Sequence, residues 1–154
     1  MANLAQTINV LQALILTDND KMLLTPTYHV YDLYKVHQDA TMIPLNIKSK
    51  EYVVGTEKLP ALNASASQDK SGNITISIVN IDPVNPIDLQ LDMPGIQSLT
   101  VSAQVITSEK FTNHNTFDKP GTIKPASFSG VKKMKESLSV KLPSKSIVVI
   151  RLAK

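Results

Sequence analysis

The side chains that could do metal or acid–base chemistry are few and widely spaced. The three histidines are His29, His37 and His114, and none stands beside further ligands at the spacing that a zinc site requires. His29 and His37 are eight residues apart on one predicted helix, which favours packing or hydrogen bonding over ligation. The absence of cysteine excludes disulfides, iron–sulfur clusters and thiol catalysis in this chain. We therefore expect neither a metal nor a cofactor.

Catalysis by a pair of carboxylates needs two acidic side chains at working distance, and the sequence does not indicate such a pair. The only glutamates are Glu51, Glu57, Glu109 and Glu136, all in the part of the chain that is predicted to be β-structure. No serine is placed on a strained elbow of the kind that a nucleophile occupies. We therefore expect no catalytic residue in these 154 residues.

Three tyrosines, Tyr28, Tyr31 and Tyr34, fall on roughly one face of a predicted helix. They could form an aromatic platform for a sugar, or they could be buried between the helix and the rest of the fold, each hydroxyl with a polar partner. The three-residue spacing favours burial, because it is the spacing of a helical packing face.

The elements that would position these residues change character near residue 40. Before it, apolar residues recur at helical spacing and predict a first helix: Leu4, Ile8, Leu11 and Ile15, widened by Val10 and Leu14. Thr17–Asp20 then forms a predicted turn, and Met22–Leu24 a short buried strand. Thr25 and Pro26 are typical of a helix start, so a second helix is expected over 26–37. Helix, strand and helix together are typical of a repeating α/β unit.

After Ala40 the period changes to two, which predicts strands. The alternating runs are 62–66, 74–78, 87–91, 99–105 and 138–142, and 42–47 is expected to form one more strand. Residues 147–152 are apolar at almost every position, as in a strand covered on both faces. Turn signals separate the runs, among them Asp69–Gly72. Residues 41–154 are thus predicted to be a mainly β domain, an antiparallel β-sandwich of jelly-roll-like form, with 1–40 as a separate segment. The irregular stretch Ser108–Lys124 is long enough to indicate a functional or interface role.

Charge and hydropathy argue against two classes of partner. The net charge is +3, and the tightest basic group, Lys132, Lys133 and Lys135, has no interleaved aromatic residues. We therefore expect no nucleic-acid binding. The nearly apolar run Leu11–Leu16 is too short to cross a bilayer, so no membrane partner is expected.

Several segments, in order along the chain, resemble the C-terminal part of the glycoside hydrolase family 51 α-L-arabinofuranosidases. ANLAQTINVLQALIL (2–16) resembles the segment after that family's catalytic nucleophile, and LLTPTYHVYDLYKVHQDA (23–40) resembles its last barrel strand and helix. ASASQDKSGNITISIVNIDP (64–83), HNTFDKP (114–120) and LPSKSIVVIRL (142–152) are similar to its C-terminal β-domain. The resemblance covers nearly the whole chain.

The resemblance implies a parent enzyme with a (β/α)8 barrel that hydrolyses terminal α-L-arabinofuranosyl bonds with retention, using two glutamates. Both glutamates are expected upstream of Ala2, so this segment is predicted to be inactive alone. The two predicted helices would be remnants of the barrel. The resemblance also implies that Gln6 contacts the arabinose in the intact parent, whereas the residues alone are equally consistent with a solvent-facing helix position. Asn3 is a weaker candidate, with helix capping as its alternative.

Three functions remain open at this point. The leading hypothesis is a non-catalytic domain that supports the upstream barrel and contributes to a homo-oligomer, with the loop His114–Phe117 at an interface. The alternative is a carbohydrate-binding module. The four aromatic residues of the β half argue against it, because they form no obvious strip on which a sugar could stack: Tyr52, Phe111, Phe117 and Phe128. The third is an autonomous hydrolase. The expected partners are the barrel and arabinose-containing oligo- or polysaccharides, and the compartment is left between cytoplasm and periplasm.

Overall fold

The computed structural model describes residues 7–154. It begins with a hairpin of strands β1 (Ile15–Asp18) and β2 (Lys21–Leu24), followed by helix α1 (Pro26–Tyr34) and a single 3₁₀ turn (Lys35–His37). The β1–β2 pairing is antiparallel and turns at Asn19 and Asp20. The predicted turn, short strand and second helix are therefore present, but Met22 of the strand is 65% exposed rather than buried, and the α-helix ends at Tyr34, three residues earlier than predicted.

Helix α1 begins as its sequence predicts. Thr25 is the N-cap, and its hydroxyl accepts a hydrogen bond from the backbone N–H of Tyr28. Pro26 occupies the first turn, where its missing N–H costs nothing. In residues 7–154 no helix is long and apolar enough to cross a bilayer.

The first predicted helix is wrong over its described part. Residues 7–14 form bends and turns, and Asn9 and Gln12 have φ values of 53° and 60°, which no α-helix contains. Leu11, on the predicted apolar stripe, is 93% exposed. The side chain of Asn9 instead bonds the backbone and hydroxyl of Thr17, which fixes a loop against β1. Local polar contacts and strand pairing thus outweighed the apolar spacing.

From Thr41 onward the regular structure of the described chain is β-strands, apart from one 3₁₀ turn, Ile96–Ser98. Its strands are β3 (Thr41–Ile43), β4 (Glu51–Val54), β5 (Glu57–Pro60), β6 (Leu62–Gln68), β7 (Ile74–Asn80), β8 (Ile87–Asp92), β9 (Thr100–Ile106), β10 (Ala126–Ser127), β11 (Val131–Lys133), β12 (Ser137–Leu142) and β13 (Ser146–Ala153). Every run with period two contains a strand. The β4–β5 hairpin was not predicted, because its residues are exposed and do not alternate.

The strands form two main antiparallel sheets with one core between them. The six-stranded sheet has the order β10-β9-β13-β7-β6-β3, and the three-stranded sheet has the order β11-β12-β8. Their facing side chains form the main core, whose fully buried members include Ile76, Ile78, Ile150 and Leu138. The predicted mainly β, antiparallel sandwich is therefore confirmed. Of the two helices predicted in residues 1–40, the described residues contain only the second.

The β6–β7 turn forms where the sequence predicts it. The carboxylate of Asp69 accepts hydrogen bonds from the backbone N–H groups of Ser71 and Asn73. Gly72 has φ 81°, a left-handed conformation that glycine adopts without strain. These bonds hold the pKa of Asp69 below its ordinary value, the side-chain and backbone bonds from Asn73 being the largest causes.

Candidate functional site

The four glutamates are all exposed and do not converge. Glu51 and Glu57 lie on the β4–β5 hairpin, but Glu51 is opposite Pro60 and Glu57 is opposite Val54, at the other end of the ladder. Glu51 is paired with Lys58 at 3.5 Å between carboxylate and ammonium. The other two, Glu109 and Glu136, lie in surface connections. None of the four carboxylates is buried in an apolar pocket, which is the setting of a catalytic acid.

A cavity of about 710 Å³ opens between the two sheets where residues 43–48 run along the β3–β6 edge. Its walls are mostly aliphatic, and Asp92 is the single acidic residue among them. Its apolar lining continues the main core. We read it as an incompletely closed edge of the sandwich rather than as a site for chemistry.

The N-terminal segment meets the sandwich on the outer face of the six-stranded sheet, and His37 is the main polar contact there. Its Nδ1 lies 2.7 Å from the hydroxyl of Ser67 in β6, and its Nε2 lies 2.7 Å from the hydroxyl of Ser77 in β7. Desolvation by burial lowers the pKa of His37, so the neutral ring is favoured. His37 therefore joins the end of the helical segment to two neighbouring strands, as the hydrogen-bonding interpretation of this histidine predicts.

The other two histidines have lesser contacts. The ring of His29 packs edge-to-face on Tyr28. Burial lowers its pKa, and the nearby carboxylate of Asp32 partly offsets that effect. His114 is exposed, with Nδ1 3.0 Å from the carbonyl oxygen of Thr112. Across the described residues no three histidine, aspartate or glutamate side chains gather into a set that could bind a metal.

The three tyrosines do not form one platform. Tyr34 is half-buried, packs edge-to-face on His37, and contacts a second apolar cluster on the outer face of the sheet. Burial raises the pKa of its phenol, and a hydrogen bond with Ser77 offsets part of that rise. Tyr31 is 38% exposed. Burial between helix and sheet, the alternative that the spacing favoured, thus holds for Tyr34 but not for Tyr31.

The second apolar cluster consists of buried residues from four elements, with Val30, Tyr34 and Ile147 packed on them: Leu33 of α1, Ile106 of β9, Val149 of β13 and Ile123 of the long loop. Strand β13 therefore has its inner face in the main core and much of its outer face under the helix. This confirms the predicted strand, whose outer face is covered at Ile147 and Val149 but exposed at Arg151.

Asn115 connects the long loop to the N-terminal hairpin. Its amide donates to the carbonyl oxygens of Leu24 in β2 and of Ile123, both at 2.9 Å, and its carbonyl accepts from the N–H of Ile123 at 2.7 Å. The residue is only 6% exposed. Phe117, at the end of the loop that the sequence placed at an interface, is half-buried, whereas Asn115 and Ile123 are buried and hold the loop.

Gln6 and Asn3, the residues singled out for substrate contact, lie outside the described residues, as does Leu4. In the described part of the predicted first helix, Ile8 is 52% and Leu11 93% exposed. The serines of the junction, Ser67 and Ser77, were missed, and Asn115 was identified only as part of the loop His114–Phe117. Period two identified the strands but could not show that one sheet face lies under a helix.

Comparison with known proteins gives a consistent result. The sequence profile of the family described as "Alpha-L-arabinofuranosidase C-terminal domain" matches residues 1–146. An intracellular exo-α-L-arabinofuranosidase of Bacteroides ovatus is 41% identical over 153 residues, which is 99% of this chain and 30% of that protein. The chain therefore spans about a third of the length of this relative.

Solved structures agree with the observed fold. The glycoside hydrolase family 51 arabinofuranosidase of Xanthomonas axonopodis pv. citri superposes with a TM-score of 0.93 at 40% identity, over 99% of this chain and 31% of that one. The α-L-arabinofuranosidase of Thermotoga maritima, solved with arabinose, superposes with a TM-score of 0.82 at 21% identity, over 98% and 33%, and shows the shared fold. With a profile match over most of its length, a mainly antiparallel β fold and an N-terminal segment bound to its outer face, the chain belongs to the C-terminal domain family of the α-L-arabinofuranosidases.

Proposed function

We propose that this chain is the non-catalytic C-terminal part of a retaining α-L-arabinofuranosidase, which removes terminal α-L-arabinofuranosyl residues from arabinose-containing oligo- and polysaccharides. The family match supports the activity of the whole enzyme. The observation that carries the non-catalytic role is the dispersal of the four exposed glutamates, since retaining glycosidases need two carboxyl groups about 5 Å apart.

We also propose the domain organisation: residues 1–40 complete the catalytic barrel, and 41–154 form a jelly-roll-like sandwich. The chain crosses between the two sheets several times, for instance from β7 to β8 and from β12 to β13, which supports this form. The buried junction at His37, Tyr34 and Leu33 would then hold the last barrel helix on the sandwich, which stabilises the barrel from outside. Exposed Ile8 and Leu11 would pack on other parts of the barrel.

Gln6 is proposed to contact the arabinose in the intact enzyme. A glutamine amide can both donate to and accept from sugar hydroxyls. The resemblance of ANLAQ (2–6) to the segment that follows the family's nucleophile supports this role. Replacing Gln6 with Ala in the complete enzyme is expected to lower kcat/KM on an arabinofuranoside.

The test of the non-catalytic role is an assay on a chromogenic α-L-arabinofuranoside. The complete enzyme is expected to release the chromophore, and residues 1–154 alone are expected to give the rate of buffer. A Glu51→Gln variant of the complete enzyme should retain full activity, because Glu51 is exposed on the β4–β5 hairpin. Turnover by residues 1–154 alone would contradict the proposal.

A carbohydrate-binding role is the second candidate, favoured by one observation: Phe111, in the long loop, is 72% exposed and borders an apolar groove. Titration with arabinan or arabinoxylan fragments decides between the two. Micromolar binding that is lost in Phe111→Ala would establish this role, and unchanged binding in that variant would remove it.

Homo-oligomer formation is also proposed. The β4–β5 hairpin exposes Val53, Val54 and Leu59 by more than half, and a two-stranded hairpin is marginally stable without a partner. A second copy of the enzyme covering this hairpin would bury those side chains. Light scattering of the complete enzyme should then show an oligomer that Val54→Lys dissociates, and a monomeric wild type would contradict it.

A further inference from the structure

We propose that Asn115 is a positioning residue for the sugar site: through its bond to Leu24 it holds in place the segment that begins beside Gln6. This inference rests on the proposed function, in which residues 1–40 belong to the catalytic barrel and Gln6 contacts the arabinose.

The first step is the bond between the two parts of the fold. Asn115 comes from the long loop of the sandwich, and Leu24 is the last residue of β2. The carbonyl of Leu24 accepts the Asn115 amide at 2.9 Å, in a setting where Asn115 is 6% exposed. A buried amide with all three of its polar contacts on backbone atoms has little freedom to move, so it fixes the end of β2 relative to the sandwich.

The second step leads from Leu24 to the start of the described chain. The next residue, Thr25, donates its backbone N–H to the carbonyl of Leu14 at 3.0 Å, and its hydroxyl lies within hydrogen-bond distance of the carbonyls of Ala13 and Leu14. The N–H groups of Leu14 and Ile15 in turn donate to the carbonyl of Thr7, each at 3.0 Å. Thr7 is covalently joined to Gln6.

These contacts form a continuous series of hydrogen bonds from the sandwich loop to the residue beside the proposed sugar ligand. Residues 7–14 contain no helix, and Ile8 and Leu11 are exposed, although Ala13 is buried. The placement of this stretch therefore depends largely on hydrogen bonds: those at Thr7, Leu14 and Thr25, together with those of the Asn9 side chain to Thr17. Removing the Asn115 amide is expected to loosen that placement without touching the substrate.

The chain supplies a matched control in Asn80. Its amide donates to the carbonyls of Asn85 and Pro143, at 3.1 and 2.8 Å, and its carbonyl accepts from the N–H of Asp82 at 3.0 Å. Asn80 is 1% exposed, so its burial and its three backbone contacts are like those of Asn115. All of its partners lie within the sandwich, so the two asparagines differ in what they connect.

The experiment compares Asn115→Ala and Asn80→Ala in the complete enzyme, with kcat and KM on a chromogenic arabinofuranoside measured below both unfolding transitions. Loss of one hydrogen bond to the sugar lowers kcat/KM by up to about tenfold. We therefore expect the kcat/KM of Asn115→Ala to fall by about that factor, and that of Asn80→Ala to stay within about twofold of the wild-type value. Equal losses in the two variants would overturn the proposal, because a merely structural role lowers both alike.

A double-mutant cycle with Gln6→Ala tests the route. If Asn115 acts through Gln6, the double variant Gln6→Ala/Asn115→Ala is no slower than Gln6→Ala alone, whereas multiplied losses would overturn the route. If Asn115→Ala does not fold, Thr25→Val removes the hydroxyl bonds of the next link, to Ala13 and Leu14, with Thr25→Ser expected to restore activity. No rescue by serine would overturn the proposal. A wild-type enzyme without arabinofuranosidase activity would refute the proposed function itself, which is a distinguishable result.

Discussion

The two faces of the six-stranded sheet are packed in different ways. The inner face meets the three-stranded sheet through mainly aliphatic side chains, and Ile78, Val148, Ile150 and Leu152 are each 0% exposed. The outer face meets α1 through a small apolar cluster around Leu33, and beside it His37 bonds Ser67 and Ser77. One side of the sheet therefore depends on burial, and the other depends on burial together with a few directional bonds.

The two kinds of packing contribute differently to the stability of the domain and to the position of the N-terminal segment. Apolar burial is roughly proportional to area and has no preferred direction, so the inner core stabilises the domain with little demand on exact register. A hydrogen bond is broken by a shift of about 1 Å, so the outer face fixes where the N-terminal segment lies on the sheet. We expect substitutions in the inner core to cost most in stability, and substitutions at the junction to cost less but to release the segment.

The largest effect is expected in the inner core. Ile78→Ala should lower the free energy of unfolding by roughly 2–5 kcal/mol, because it removes three buried carbons and leaves a cavity. Urea denaturation measures this, with Val84→Ala as the control, since Val84 is 74% exposed. A loss at Ile78 no greater than that at Val84 would mean that the two sheets do not close a common core.

A smaller effect is expected at the junction. Ser77→Ala should lower the free energy of unfolding by about 1–3 kcal/mol, because it leaves Nε2 of His37 without its partner in a partly buried setting. Ser65→Ala is the matched control, since Ser65 is opposite Ser77 in the ladder but exposed. Limited proteolysis should show earlier cleavage before residue 40 in Ser77→Ala only, and identical patterns in the two variants would argue against a directional junction.

The junction should also respond to acid, unlike the inner core. The fold holds the pKa of His37 below 6.5, its unfolded value, so the unfolded chain binds the proton more readily. The contribution of His37 is complete above pH 6.5 and declines as the pH falls through that value towards the lower folded pKa. The carboxylates of Asp69 and Asp82, whose pKa values are lowered, lose their contribution only below 3.8.

Urea midpoints at pH 8 and pH 5 measure this dependence. His37→Gln removes the titrating group while keeping an amide that can bond the two serines. The urea midpoint of this variant should change less between the two pH values than that of the wild type. Part of the pH dependence should remain, because the pKa of His29 is also lowered. An equal change in both proteins would mean that His37 does not titrate in this range.

The smallest effect is expected on the exposed side of α1. Lys35 and Asp32 form an ion pair at 2.6 Å, three residues apart, with both side chains largely in solvent. Lys35→Ala should leave the urea midpoint within experimental error, because solvent and salt screen such pairs. A loss comparable to that of Ser77→Ala would show that charge, rather than the serine–histidine contacts, holds the helix.

Much of the β half could be predicted from sequence because one face of each strand is buried. Alternation at 74–78 and 138–142 reports that burial directly, and Asp69–Gly72 carries its own turn chemistry. The stretch 7–16 has helical spacing, but Asn9 and Gln12 adopt left-handed conformations and Leu11 points to solvent. The spacing of apolar residues there could not reveal which of them find a partner.

The sequence by itself determined the antiparallel sandwich, the start of α1 at Thr25 and the membership of the family. Periodicity, helix capping and a long colinear resemblance depend only on the order of residues along the chain. The tertiary structure decided which serines meet His37 and which carbonyl Asn115 holds. These contacts join residues 30, 40 and 91 positions apart, and only folding brings such distant residues within hydrogen-bonding distance.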